Sequence, residues 1–100
     1  MIEAVAVVPD PIRVCSTAKR GVDVELGPCG ADKLQVCVYT AAMVQVDCFS
    51  DSCSTLEEGG WHDLEFPGSL SLSPGLYYLC VTATKNGISS RATQSFYVLP

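Results

Sequence analysis

Cysteine is the residue type with the most chemistry to offer in this chain of 100 residues, and six are present: Cys15, Cys29, Cys37, Cys48, Cys53 and Cys80. No two of them form a Cys-x-x-Cys pair, and the single histidine, His62, has no second histidine beside it. Structural zinc needs four ligands in closely spaced pairs, and a thioredoxin-like couple needs the missing motif. No metal and no cofactor is therefore expected, and the thiols read as candidate disulfide cysteines or as small buried hydrophobes. Cys48 and Cys53 bracket Phe49-Ser50-Asp51-Ser52 and can close a small loop, a crosslink worth about 2 kcal/mol. Cys37 and Cys80 share the outward phase of their segments, which leaves them open to bridging neighbouring strands, joining a second subunit or staying free. For Cys15 and Cys29, a disulfide and a buried thiol fit equally well.

The remaining polar residues build no catalytic constellation. His62 and Asp63 are adjacent in an extended run and so point to opposite faces, which spoils a relay made from that pair; the chain is expected not to be an enzyme. Asp47 and Asp51, near Ser50 and Ser52, lack the glycine-turned acidic loop of a strong calcium site. Glu57-Glu58-Gly59-Gly60 reads as a solvated turn, and no glycine-rich phosphate loop is present. The aromatic residues carry more. Strict alternation with Leu64 and Phe66 inward places Trp61 outward, while a bulge at Gly59-Gly60 would turn its ring into the end of the domain. Tyr39, Tyr78 and Tyr97 fall on the same outward phase as Cys37 and Cys80. With Trp61 they are the candidate interface aromatics.

Composition narrows the classes further. Apolar residues make up 48% of the chain and charged residues 17%, which excludes disordered and coiled-coil classes. A net charge of -5 opposes binding to a phosphate backbone, so no nucleic-acid partner is expected. No run approaches the ~20 apolar residues of a bilayer span, so no membrane partner is expected either. Met1 to Asp10 lacks the basic region and long apolar run of a signal peptide, and the expectation is a protein made in a cytosol. Stable disulfides are rare there; folding inside a cell and working outside it would reconcile this with the cysteine content.

Strand signals recur at Glu3 to Val8, Ile12 to Ser16, Val22 to Leu26, Lys33 to Thr40, Val44 to Phe49, Trp61 to Phe66, Ser69 to Ser73, Leu76 to Thr84 and Ala92 to Leu99. Gly and Pro clusters separate them, and no sustained helical period appears. The expectation is a single all-β domain over residues 1–100, an antiparallel β-sandwich of Ig-like or jelly-roll type with about eight strands. Asn86-Gly87 favours a two-residue type I′ turn. That turn pairs Lys85 with Ile88, Val81 with Ala92, Leu79 with Gln94 and Tyr77 with Phe96 on the core face. Leu76, Tyr78, Cys80 and Thr82 then share the other face with Arg91, Thr93, Ser95 and Tyr97. Between the Lys33 and Val44 segments a tight Ala41-Ala42 turn would set the two apolar alternations on opposite faces. A longer loop, a bulge or a change of sheet must intervene.

Val36-Cys37-Val38-Tyr39-Thr40, Gly60-Trp61-His62-Asp63-Leu64 with Phe66, and Leu72-Ser73-Pro74-Gly75-Leu76-Tyr77-Tyr78-Leu79 with Val81-Thr82-Ala83 resemble the small β-sandwich modules of tailed-phage virion proteins. The resemblance spans roughly Lys33 to Thr84, and its motifs encode strand and turn geometry rather than chemistry. The chain departs from that pattern in lacking a glycine after Tyr39-Thr40 and in its extra cysteines. The resemblance implies a non-enzymatic capsid decoration (cement) protein on the virion exterior. Its partner would be the major capsid protein or another virion protein, and it would work as a monomer or small homo-oligomer. It also admits a carbohydrate- or receptor-binding module of a tail fibre or secreted adhesin, stacking ligands on Trp61.

Overall fold

The computed structural model describes residues 2–14, 19–51, 59–67 and 70–100, with the side chain of residue 51 outside the description. Among the described residues eight strands form: β1 (Ile2–Val8), β2 (Ile12–Arg13), β3 (Gly21–Leu26), β4 (Lys33–Thr40), β5 (Gln45–Asp51), β6 (Gly60–Glu65), β7 (Gly75–Lys85) and β8 (Ile88–Leu99). They make a three-stranded sheet in the order β1-β3-β6 and a five-stranded sheet in the order β2-β8-β7-β4-β5. Every ladder is antiparallel except the short β2–β8 pairing, which is parallel.

The period of two creates the core. Val7, Val22, Val24, Leu26 and Leu64 from the smaller sheet meet Leu34, Val36, Val38, Leu79, Val81, Phe96 and Val98 from the larger one, all buried in one cluster. Both sheets turn one apolar face inward, and neither is stable with that face wet. Phe96 packs against Tyr77 at 5.7 Å and against Phe66 at 6.2 Å between ring centroids, and Phe66 meets Phe49 edge-on at 5.6 Å. Where β3 and β6 begin and end side by side, a Cβ on Gly21 would lie 2.5 Å from the Leu64 carbonyl oxygen, so only glycine allows that approach.

The β7–β8 hairpin has the expected register throughout, with Asn86 (φ 51°) and Gly87 (φ 78°) in the left-handed region a type I′ turn demands. Asp32 pins this turn. It accepts a hydrogen bond from the Asn86 amide at 2.8 Å and pairs with Lys85 Nζ at 3.4 Å. Both contacts hold its carboxyl below the ordinary range, the amide most of all.

Other segments differ from expectation. Residues 70–74 form no strand: Leu72 is buried and Leu70 packs on the core, so the inward phase is realised outside the ladders of the described residues, with the Leu70 amide donating to the Pro67 carbonyl at 2.9 Å. The loop is held instead by Tyr77, whose hydroxyl donates to the Ser73 carbonyl at 2.8 Å. Strand β2 is only two residues long, and its continuation at Cys15 and Ser16 lies outside the described residues. Strand β8 extends back to Ile88, because a tight turn leaves its polar half no route except along β7. Strands β4 and β5 share one sheet, joined by a longer turn with Met43 at φ 63°, and the ladder shifts register between Val38 and Tyr39. That shift turns Phe49 to the core, while Val44 and Val46 stay exposed.

Candidate functional site

Register decides what each sheet shows to solvent. On the five-stranded sheet, Cys48, Cys37, Cys80 and Thr93 stand opposite one another across β5, β4, β7 and β8. Cys37 and Cys48 are joined in a disulfide with a Cα separation of 4.1 Å. The pairing of Cys48 with Cys53 is thereby corrected: the antiparallel ladder brings Cys37 directly across from Cys48, a proximity that reading the local loop does not reveal. Cys80 is a half-buried free thiol and Cys29 an exposed one; Cys15 and Cys53 lie outside the described residues.

One step further along the same face, Tyr39 stands opposite Tyr78, and Tyr97 lies diagonal to it, opposite Leu76. Tyr97 is 56% exposed, and Met43, Val44 and Val46 continue the apolar surface at the β4–β5 turn. The charged residues at outward positions here are all cations: Arg13 beside Leu99, Lys33 beside Thr84 and Arg91 beside Thr82. Among the described side chains, no outward position of this sheet carries a carboxylate. Asp47 falls on the inward phase opposite Val38, where its carboxylate accepts a hydrogen bond from the Cys48 amide at 2.8 Å.

The outer face of the three-stranded sheet is the opposite in charge. Asp23 pairs with Asp63, Glu25 with Trp61, and Glu65 with Gly21, while β1 contributes Ala4, Ala6 and Val8. Trp61 is 55% exposed, so its ring follows strict alternation and the turned-in alternative at Gly59-Gly60 is not realised. His62 falls on the inward phase with Leu64, apart from Asp63, as adjacency in a strand requires. A cavity of about 290 Å³ opens at this face, and its lining includes the carboxylates of Asp23, Asp63 and Glu65 and the cations of Lys19 and Arg20. The Arg20 guanidinium donates to the carbonyls of Arg13 and Val14 at 2.8 and 2.9 Å, which turns it toward the β2 segment.

Sharing a hydrogen bond with Asp63 shows on Asp23, whose pKa is pushed up to about 6. A hydrogen bond shared with the Asp63 side chain is the main cause, followed by partial burial and by repulsion from Asp63. The folded chain therefore holds this proton more tightly than the unfolded one. The resulting stabilisation is complete below about pH 4 and is lost as pH rises through about 6. Asp23→Asn should flatten the fall in melting temperature between about pH 4 and pH 6 and leave the variant at least as stable as the parent at neutral pH. Calorimetry across that range checks it, and an unchanged slope would place the shared proton elsewhere.

Among the described residues, no group of three or more His, Cys, Asp and Glu lies together where it could hold a metal ion. No family model matches the chain, and no curated protein does. Among solved structures, CopC from Methylosinus trichosporium OB3b superposes on it with a TM-score of 0.67, covering 100% of this chain and 93% of that one at 14% identity. The fold is like that of CopC. This overturns the expectation of a capsid decoration function, because the protein matched over the whole length is not a phage protein. The strand and turn motifs behind the phage resemblance are requirements of the sandwich itself, and many unrelated proteins built as sandwiches share them. At this identity the likeness speaks for the fold alone, so the functional reading rests on the two faces.

Proposed function

We propose that this chain is a non-enzymatic binding domain that self-associates head to tail, the outer face of its five-stranded sheet docking on the outer face of the three-stranded sheet of a second copy. The observation that carries this is the segregation of charge: Arg13, Lys33 and Arg91 on one outward face, Asp23, Glu25, Asp63 and Glu65 on the other. Each face also exposes an aromatic anchor, Tyr97 on the first and Trp61 on the second. Opposed in this way, the faces neutralise each other, whereas face-on-same-face pairing would set like charges together. The smaller face limits the strength. Three strands about 4.8 Å apart and about 24 Å long project roughly 340 Å², well below the ~800 Å² per partner of a standard stable interface. The association is accordingly weak and exchanges rapidly, and salt screens it.

Sedimentation at graded concentration tests the proposal. The expected result is concentration-dependent association that diminishes as salt rises from about 0.05 to about 0.5 M. Arg91→Glu and Asp63→Lys each abolish association alone, yet an equimolar mixture of the two variants forms dimers, because one intact face of each kind remains. A parent chain that stays monomeric up to about millimolar concentration, where even weak contacts register, overturns the reading; so does a mixture that fails to recover.

A further inference from the structure

Three cysteines form one row on the outward face of the five-stranded sheet: Cys48 on β5, Cys37 on β4 and Cys80 on β7, each opposite the next. The first two are bonded and the third is a free thiol. Neighbouring strands lie about 4.8 Å apart and opposed residues rise from the same face, so Cys80 flanks Cys37 on the side away from Cys48. Exchange between a thiolate and a disulfide requires the entering sulfur to attack one sulfur of the bond as the other leaves on the opposite side. A row of three across adjacent strands offers that alignment. We infer that Cys80 is an internal nucleophile that exchanges the Cys37–Cys48 disulfide for a Cys37–Cys80 disulfide, moving the crosslink from an edge strand to the middle of the sheet.

The step balances without an outside oxidant. The Cys80 thiol gives up its proton to solvent and the thiolate attacks Cys37 Sγ. The Cys37–Cys80 bond forms as the Cys37–Cys48 bond breaks, and the electron pair departs with Cys48 Sγ, which takes up a proton. One disulfide and one thiol exist before and after.

Backbone geometry accommodates both pairings. Directly opposed residues in antiparallel ladders alternate between a close type at about 4.5 Å between Cα atoms and a wider hydrogen-bonded type at about 5.5 Å. The 4.1 Å separation of Cys37 and Cys48 is of the close type. The amide and carbonyl of Cys37 then face β7, which makes its pairing with Cys80 the wider type. A separation of about 5.5 Å lies inside the span of roughly 4.4 to 6.8 Å that disulfides bridge. Strand β5 is the edge of its sheet, with β4 as its only strand neighbour among the described residues, so exchange releases the edge and leaves a thiol on it. The inference is independent of the docking reading and stands whether or not copies associate.

The test begins with oxidised protein whose Cys37–Cys48 bond is verified by peptide mapping in acid. Incubation at alkaline pH without oxidant or reductant is followed by maleimide labelling, acid quench and mapping. The expected result is a growing fraction of Cys37–Cys80 crosslink accompanied by labelled Cys48. Its rate should be independent of protein concentration, rise about tenfold per pH unit while the thiolate is the minor form, and vanish in Cys80→Ser. An intact Cys37–Cys48 bond with label on Cys80 throughout overturns the inference. So does transfer to Cys15, Cys29 or Cys53, or a rate proportional to protein concentration, which would make the donor another molecule. Cys48→Ala gives a second measurement: mild oxidation should join Cys37 to Cys80, and recovery of both as labelled thiols would count against the inference.

Discussion

Replacing Phe96 with alanine should lower the free energy of unfolding by about 3–5 kcal/mol, the largest loss expected from any single truncation in this chain. Phe96 is 2% exposed and sits at the junction of the aromatic cluster, touching both Tyr77 and Phe66. Its removal leaves a cavity that rigid strands on both sides cannot collapse, so the lost transfer energy and the void add together. A domain of this size has about 5–15 kcal/mol of stability in all, and the variant should unfold at a much lower urea concentration. Tyr97→Ala, one residue further along the same strand, provides the contrast. Its ring is 56% exposed on the opposite face, and at dilution its loss should be well under that of Phe96. Urea titrations of both variants check the pair, and comparable losses would mean that the alternation of β8 is not as described.

The second large effect belongs to the disulfide. Cys37 and Cys48 are separated by 11 positions, and a crosslink closing a loop of that length restricts the unfolded chain by about 3 kcal/mol on the chain-entropy account. Cys37→Ala with Cys48→Ala should therefore lose about 2–3 kcal/mol under non-oxidising conditions. The loss should appear mainly as faster unfolding of the β4–β5 hairpin, because β5 pairs on one side only among the described residues. Hydrogen exchange of the β5 amides, read beside the urea midpoint, tests both parts. An unchanged midpoint with unchanged exchange would show that the ladder and the Phe49 contact alone hold β5 in place.

How far these features can be read from the chain depends on the range of the interaction behind each one. Alternation over Val22 to Leu26, Lys33 to Thr40 and Leu76 to Thr84 is a local property, and so is the chemistry of Asn86-Gly87. They suffice to give the all-β class, most strand positions and every paired residue of the last hairpin. The same phase rule places Tyr39, Tyr78, Tyr97 and Cys80 on one outward face. It fails at residues 70–74, where the phase of Leu70 and Leu72 is right but the segment joins no ladder among the described residues. It also misses the disulfide: Cys48 is five residues from Cys53 and eleven from Cys37, and only the ladder says which is near.

The candidate faces show the same division. Each strand announces which of its side chains point outward, so the sequence by itself determines that Arg91 and Tyr97 share a face, as do Trp61 and Asp63. Composition likewise determines the excess of acid and of cysteine. Which strands become neighbours is a matter of long-range pairing, decided by how two apolar faces can be buried against each other at once. Tertiary structure alone therefore gathers Asp23, Glu25, Asp63 and Glu65 on the outward face of one sheet and Arg13, Lys33 and Arg91 on that of the other. It alone lines up Cys48, Cys37 and Cys80, because a period of two fixes the side a residue faces and says nothing about the strand it will face beside.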